Sequence, residues 1–291
     1  MNNPIILDGA MGTELIRNGV ECPLPLWSAD ANLTHPEIVE KIHHDYVAAG
    51  ANIISTNTFR TTSWTYQKAG YSLKNAKQRA KESLDRAVEC AIKAKKYSIR
   101  VAGVITSIDD CYTPGNFPGK SVAEETYGDS LAWLNEAGVD LILFETMGNI
   151  NEIEVALRLC KNMKLPIWLS LIMKDKSHIL DGTSLEKVIS SISGNIVNCL
   201  LINCNTLNIT LDSIDQIKIG WNGAWGAYPN LGKSDYKNNY FDMIDSSNFS
   251  AGILSILEKD PNIIGACCGS SPLHIQKIKS IIELSTKEIK K

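Results

Sequence analysis

The feature that most constrains this chain is a regular alternation of short, β-rich apolar runs with longer segments of helical spacing. Strand character falls at residues 5–7, 51–56, 100–105, 140–145, 166–173, 196–203, 217–225 and 262–267. Between them the apolar residues recur at helical intervals, as in Ile38, Ile42 and Tyr46, behind a Thr34-His35-Pro36-Glu37 segment that fits a capping box. Ser271 as a cap, with Pro272 in the first turn, predicts a further helix through Ile275, Ile278 and Ile282. Eight strand–helix repeats predict an α/β chain closed into a single (β/α)8 TIM barrel over residues 1–291, a fold that takes about 250 residues. An open doubly wound sheet is the alternative, but Gly9-Ala10-Met11-Gly12 is only a loose glycine pair and not a dinucleotide fingerprint.

Composition narrows the class of partner. An apolar fraction of 44% supports a sizeable core, and a net charge of −3 offers no phosphate-tracking surface, so nucleic acid is not an expected partner. Apolar runs such as residues 141–144 are too short to span a bilayer, so no membrane association is expected. The first residues have no basic region, apolar stretch or small-residue cleavage site, and a cytoplasmic protein is expected. In a reducing cytosol, eight cysteines point to free core thiols plus a metal or catalytic set.

Active sites in this barrel sit at the C-terminal ends of the strands. Asp8 ends the first strand, Asn57 follows the second, Glu145 ends the fourth, Cys204 the sixth, and Cys267-Cys268 the eighth. These groups are expected to meet at one mouth. Adjacent residues on a regular strand point to opposite faces, so Cys267 and Cys268 can share an ion only if the chain leaves β geometry, which Gly265 and Gly269 allow. Three thiolates form a soft site that favours Zn2+ and leaves a fourth position open. The competing reading of a Cys-Cys pair, small buried core residues, loses ground because Cys204 stands at an equivalent strand end. Cys90 and Cys160 fall in helical patterns and are read as packing residues; Cys22 and Cys199 have no comparable placement, and Cys111 lies in a loop near the mouth. His43 and His44 diverge on a helix, and His178 is read as structural.

The segments Ile6-Leu7-Asp8-Gly9-Ala10-Met11-Gly12-Thr13-Glu14-Leu15, Thr56-Asn57-Thr58-Phe59, Leu143-Phe144-Glu145-Thr146, Asp181-Gly182-Thr183, Ile202-Asn203-Cys204, Tyr228-Pro229-Asn230 and Gly265-Ala266-Cys267-Cys268-Gly269-Ser270-Ser271-Pro272 carry a resemblance. Over nearly its whole length the chain resembles the homocysteine S-methyltransferase family. The resemblance implies zinc on Cys204, Cys267 and Cys268, with homocysteine as the methyl acceptor. It assigns the acceptor's amino group to Asp8, with the Gly9 backbone beside it, and to Glu145. Asn230, in Pro229-Asn230-Leu231-Gly232, matches a residue that takes zinc's fourth position when substrate is absent. Asn57 and Trp27 match further pocket positions.

The methyl donor is less constrained. Residues 107–114 do not carry the Gly-Pro-Tyr-Gly type of loop usual in S-methylmethionine-using members. Arg60 stands where a betaine-type aromatic cage would place a ring, and Tyr112, which could replace it in part, is more ordinarily read as a surface-loop tyrosine. Folate or cobalamin donation calls for further domains, so a small sulfonium or quaternary ammonium donor is expected. S-methylmethionine or S-adenosylmethionine comes first, betaine or dimethylsulfoniopropionate second. A different class remains open at this point, a zinc-thiolate storage or redox-sensing barrel without methyl transfer. No outer-helix stripe marks a dimer contact.

Overall fold

The computed structural model describes residues 3–192, 196–235, 240–243 and 246–289, so the outermost residues of the expected barrel span lie outside the described residues. Eight parallel strands form the barrel: β1 (Ile5–Ile6), β2 (Ile53–Ser55), β3 (Arg100–Thr106), β4 (Leu141–Met147), β5 (Ile167–Leu171), β6 (Val197–Asn203), β7 (Ala224–Tyr228) and β8 (Ile263–Ile264). Each pairs with its neighbour in chain order, and β8 pairs with β1. Closure between β1 and β2 rests on a Leu7–Ile53 bridge and on two hydrogen bonds, Asn52 N to Ile6 O at 2.8 Å and Asp8 N to Ile53 O at 3.0 Å.

Alternation along the strands divides two apolar layers. Leu141, Leu143, Trp168, Leu201 and Ile263 belong to a small cluster in the barrel interior. Ile142, Phe144, Leu200 and Ile202 join a larger layer between sheet and helices. Glu145 shares the inward parity of Leu141 and Leu143, so the interior changes from apolar to acidic at the C-terminal end of β4. Gly226 is required by packing, because a Cβ there would lie 2.3 Å from Ile263 O on β8.

Three expectations are corrected. Residues 217–220 are not strand: Ile214 and Ile217 are buried on the helix Leu207–Gly220, and β7 begins only after the turn at 221–223. The three-residue spacing of those isoleucines is helical, and it outweighs their strand propensity. The fifth apolar run splits, with Met173 leaving the barrel for a hairpin, Met173–Asp175 with His178–Ile179. Thr34 is no cap either. It ends a short helix, Ala31–Thr34, its hydroxyl donates to Asp30 O at 3.0 Å, and His35 precedes the helix Pro36–Ala49 without a side-chain cap bond. The helix starts at Pro272 as expected, running Pro272–Ile289 with Ile275, Ile278 and Ile282 buried, while the Ser271 hydroxyl pairs with His274 Nδ1 at 2.9 Å.

Candidate active site and metal centre

Cys204 directly follows β6 and takes a left-handed backbone, φ 57°. This conformation is costly for a residue with a Cβ, and Asn230 over-determines it. The Asn230 amide donates to Cys204 O at 3.0 Å, its Oδ1 stands 3.2 Å from Cys204 Sγ, and Cys204 N donates to Tyr228 O at 3.3 Å. Cys267 and Cys268 lie beyond β8 in a turn. There Cys267 N donates to Pro229 O at 2.8 Å and Leu231 N to Cys268 O at 3.0 Å, and Gly269 takes φ 85°. The departure from β geometry lets neighbouring thiols face one point. The Sγ atoms of Cys204 and Cys268 are 3.6 Å apart, and all three sulfurs lie within 4.8 Å of one another. A tetrahedral ion with metal–sulfur bonds of about 2.3 Å spaces its sulfurs about 3.8 Å apart, so the cluster fits a metal ion. Hydrogen bonding to Cys204 and Cys268, together with burial, pushes the Cys267 thiol well above its usual range. Ionising all three thiols therefore calls for a cation among them.

The turn is braced from the first helix, Met11–Arg17. Arg17 donates to Ser270 O at 2.7 Å and to Gly269 O at 2.5 Å, and is ion-paired with Glu14. Thr13 Oγ1 accepts from Gly269 N at 3.3 Å, and Ser270 Oγ accepts from Ala10 N at 2.9 Å. Sequence reasoning passed over this brace. Its one sequence signal is that Thr13 and Arg17 are four residues apart and so share a helix face.

Two acids stand in the same mouth, Asp8 buried and Glu145 half-buried. Asp8 accepts from Ser55 N at 2.7 Å and Ser55 Oγ at 2.9 Å. Burial raises its pKa from 3.8 to about 8, opposed by the Ser55 bonds and helped by the charge of Glu145. Glu145 is aimed by an irregularity in β4, where pairing with β5 shifts between Phe144 and Met147 and Thr146 takes φ 54°. Asn203 fixes that irregularity, with its Oδ1 accepting from Thr146 N at 3.0 Å and from Ser170 Oγ at 2.7 Å. Burial lifts Glu145 to about 7, opposed by the Tyr228 hydroxyl and helped by Cys268.

These groups line one cavity of about 670 Å³, together with Gly9, Trp27, Asn57, Tyr112 and Cys111. Every sequence-predicted site residue except Asn230 is on its wall, and Asn230 lies directly behind Cys204. Gly9 is required by close approach, since a Cβ there would meet Ser270 Oγ at 2.5 Å and Tyr46 Oη at 2.6 Å. The Asn57 side chain is committed within the protein. It accepts from Ser28 Oγ at 2.6 Å and donates to Ser28 O at 2.9 Å and Asn32 Oδ1 at 2.8 Å, so it fastens the segment that carries Trp27. Cys111 is buried and its thiol is pushed up to about 12, chiefly by burial. Cys90, Cys160 and Cys199 are buried away from the mouth, and His178 pairs with Asp175 at 2.9 Å. His43 is buried while His44 faces outward, so the two do diverge.

The opposite rim holds a charged cluster that sequence reasoning saw only through Arg60. Asp109 accepts from Lys68 Nζ at 2.7 and 2.9 Å and from Trp64 Nε1 at 2.9 Å, and these bonds hold its carboxyl below the usual range against the cost of burial. Tyr112 reaches across from the same loop, its hydroxyl 3.0 Å from Cys204 Sγ.

Comparison with known proteins agrees with this geometry. The homocysteine S-methyltransferase family model matches residues 5–282. The chain is 30% identical to homocysteine S-methyltransferase 2 of Zea mays, over 97% of this chain and 90% of that protein. It is 28% identical to a homocysteine S-methyltransferase of Bacillus subtilis, over 94% and 93%. The metallated form of the homocysteine methyltransferase MmuM from Escherichia coli superposes with a TM-score of 0.83 at 25% identity, covering 96% of each chain. Barrel, thiol cluster and sequence match together place this chain in the homocysteine S-methyltransferase family, as a methyltransferase.

Proposed function

We propose that the protein transfers a methyl group from a small sulfonium donor to homocysteine, forming methionine, with zinc on Cys204, Cys267 and Cys268. The observation that carries this reading is the meeting of three thiols with two acids, Asp8 and Glu145, in one cavity. A storage or redox site has no use for the acids, whereas an amino-acid thiol needs both halves. Zinc fits because three sulfurs form a soft donor set with a free fourth position, and bound there it supplies the Lewis acidity that keeps a fourth sulfur as thiolate near neutral pH.

The chain's own residues do the rest. Asp8 and Glu145 take the acceptor's ammonium group, which favours their charged forms and draws both pKa values down. The Gly9 backbone lies beside them, and Trp27 lines the same cavity. Asn230, with Oδ1 beside Cys204 Sγ, would offer an oxygen ligand to a metal on the thiols when homocysteine is absent. A sulfonium donor becomes neutral as its methyl leaves, and the apolar interior below the mouth favours that loss of charge. In-line approach of donor and sulfur makes positioning a large part of the rate.

A sulfonium is preferred to betaine because the Arg60 guanidinium stands over the Phe59 ring, 5.7 Å from its centroid, and occupies one face that a cation cage would use. The thiols need a reducing compartment, so we assign the enzyme to the cytosol. Among the described residues no helix is long and apolar enough to cross a membrane.

A donor panel tests the proposal. The zinc-loaded protein is incubated with homocysteine and S-methylmethionine, S-adenosylmethionine, betaine or dimethylsulfoniopropionate, and methionine is measured. Turnover fastest with one of the first two is the expected result. Turnover with betaine alone would overturn the donor, and no homocysteine binding at millimolar concentration would overturn the acceptor.

A further inference from the structure

We propose that Arg60 is the carboxylate anchor of the methyl donor, so that the enzyme selects onium donors that carry a carboxylate over those that do not. The inference rests on the methyl-transfer reading above, and it begins from a guanidinium that the protein leaves under-satisfied. Arg60 lines the cavity with 12% of its side chain accessible. Its Nη1 donates to Asp109 O at 3.0 Å. Its Nη2 is 3.9 Å from Asp110 Oδ1, beyond hydrogen-bond reach, and its Nε is buried without a partner. A guanidinium offers five N–H donors, and a buried donor left without a partner is destabilising.

The protein's own acids do not fill the gap. Asp109 already accepts from Lys68, Trp64 and its neighbour Asp110 N. Asp110 is turned to its own loop, accepting from Tyr112 N at 3.1 Å and from Thr113 Oγ1 at 3.0 Å. Lys68, the other cation on the cavity wall, is held by Asp109. Arg60 is therefore the cation on this wall with a buried donor to spare, and the Phe59 ring lies 5.7 Å from its guanidinium carbon.

The charge pattern gives the anchor a direction. Asp8 and Glu145 line the acceptor's side and repel a carboxylate. On the other wall Lys68 is neutralised by Asp109 and Arg60 is only loosely paired with Asp110 at 3.9 Å, so a carboxylate that bonds the guanidinium directly competes with a longer contact. The loop that receives Arg60 at Asp109 also carries Tyr112, whose hydroxyl reaches Cys204 Sγ. A donor with its carboxylate on Arg60 and its onium carbon toward the thiols thus lies along the cavity in one orientation. Charge-assisted pairing between guanidinium and carboxylate supplies both affinity and geometry.

The test compares S-methylmethionine with trimethylsulfonium, which has no carboxylate, in the wild type, Arg60→Lys and Arg60→Met. Thermal melting first confirms that the variants are folded. In Arg60→Met the ratio of kcat/KM for the two donors is expected to fall by roughly 30-fold, mostly through the KM of S-methylmethionine, with partial recovery in Arg60→Lys. Calorimetric titration of S-methylmethionine into homocysteine-free protein is expected to weaken by a similar factor. If the ratio stays unchanged while both donors slow together, Arg60 only props the Asp109 loop and the anchor is overturned. If the wild type methylates homocysteine from neither sulfonium, the parent reading fails and takes the anchor with it.

Discussion

The two walls of the cavity are built by different means. On one, Asp8, Glu145 and the three cysteines stand at strand ends, each set by hydrogen bonds to or through backbone: Ser55 N on Asp8, Thr146 N on Asn203, Pro229 O under Cys267. On the other, Arg60, Lys68, Asp109 and Tyr112 come from loops and a short helix. They are tied by the ends of long side chains, Lys68 to the Asp109 carboxylate, Arg60 to Asp109 O and the Tyr112 hydroxyl to Cys204 Sγ. Backbone ladders fix atoms to a common frame, while long charged side chains can be exchanged without moving a strand. The strand-end wall therefore suits chemistry that tolerates little displacement, and the loop wall suits selection of a donor. Variants of the first wall should abolish the reaction, and variants of the second should redistribute it among donors.

The largest effect is expected at the thiols. Cys204→Ala or Cys268→Ala leaves two sulfurs where three converge, and both bound zinc, measured by elemental analysis, and methionine formation should be lost. Removing thiol activation worth several kcal/mol corresponds to a rate loss of about a thousandfold or more. Full zinc with retained turnover in Cys268→Ala would show that another residue completes the ligand set and that the strand-end wall is less fixed than described.

Asp8 comes next, and here the sign of the pH effect is definite. Its carboxyl titrates at about 8 in the folded protein against an ordinary 3.8, so between those values the folded state holds a proton that the unfolded chain releases. The Asp8 contribution to stability of the substrate-free enzyme therefore falls as pH rises from about 4 to about 8. On the proposed reading homocysteine's ammonium pairs with the ionised acid and reverses the preference, so affinity should rise across the same upper range. Asp8→Asn should melt higher than wild type at pH 8, bind homocysteine at least about 30-fold more weakly, and show a flatter pH dependence by calorimetry. A variant that binds normally would remove Asp8 from the amino-group site.

Much of the strand-end wall was legible in the sequence because position and chemistry coincide there. Asp8, Glu145, Cys204 and Cys267-Cys268 each lie where an apolar run stops, and in a barrel the ends of such runs share one face. The misplaced start of β7 follows from the same method, since Ile217 and Ile219 have strand character while the helix is declared by the burial of Ile214 and Ile217. Asn57 shows another limit: it lies at the mouth as expected, yet its amide is spent on Ser28 and Asn32, which are distant in sequence. The loop wall was mostly hidden for a similar reason. Nothing in the spacing of Arg60, Lys68 and Asp109 announces that their side chains meet, because the contacts join separate loops.

The smallest expected effect belongs to Tyr112, and it bears most directly on the division between the walls. Its backbone belongs to the loop wall, but its hydroxyl stands 3.0 Å from Cys204 Sγ on the other. Tyr112→Phe keeps the ring and removes that one hydrogen bond, a loss of about 1 kcal/mol, or roughly fivefold in rate. If the hydroxyl serves the thiol, kcat should fall by the same factor with every donor, while each donor KM and the affinity for homocysteine hold. If the ring serves the donor, Tyr112→Phe should be near neutral and Tyr112→Ala should change the ranking of donors. Because Cys204 is pinned by Asn230 and Tyr228 as well, the expected outcome is the uniform fivefold loss. A change in donor ranking in Tyr112→Phe would mean that the hydroxyl serves the donor and that Tyr112 acts wholly with the loop wall.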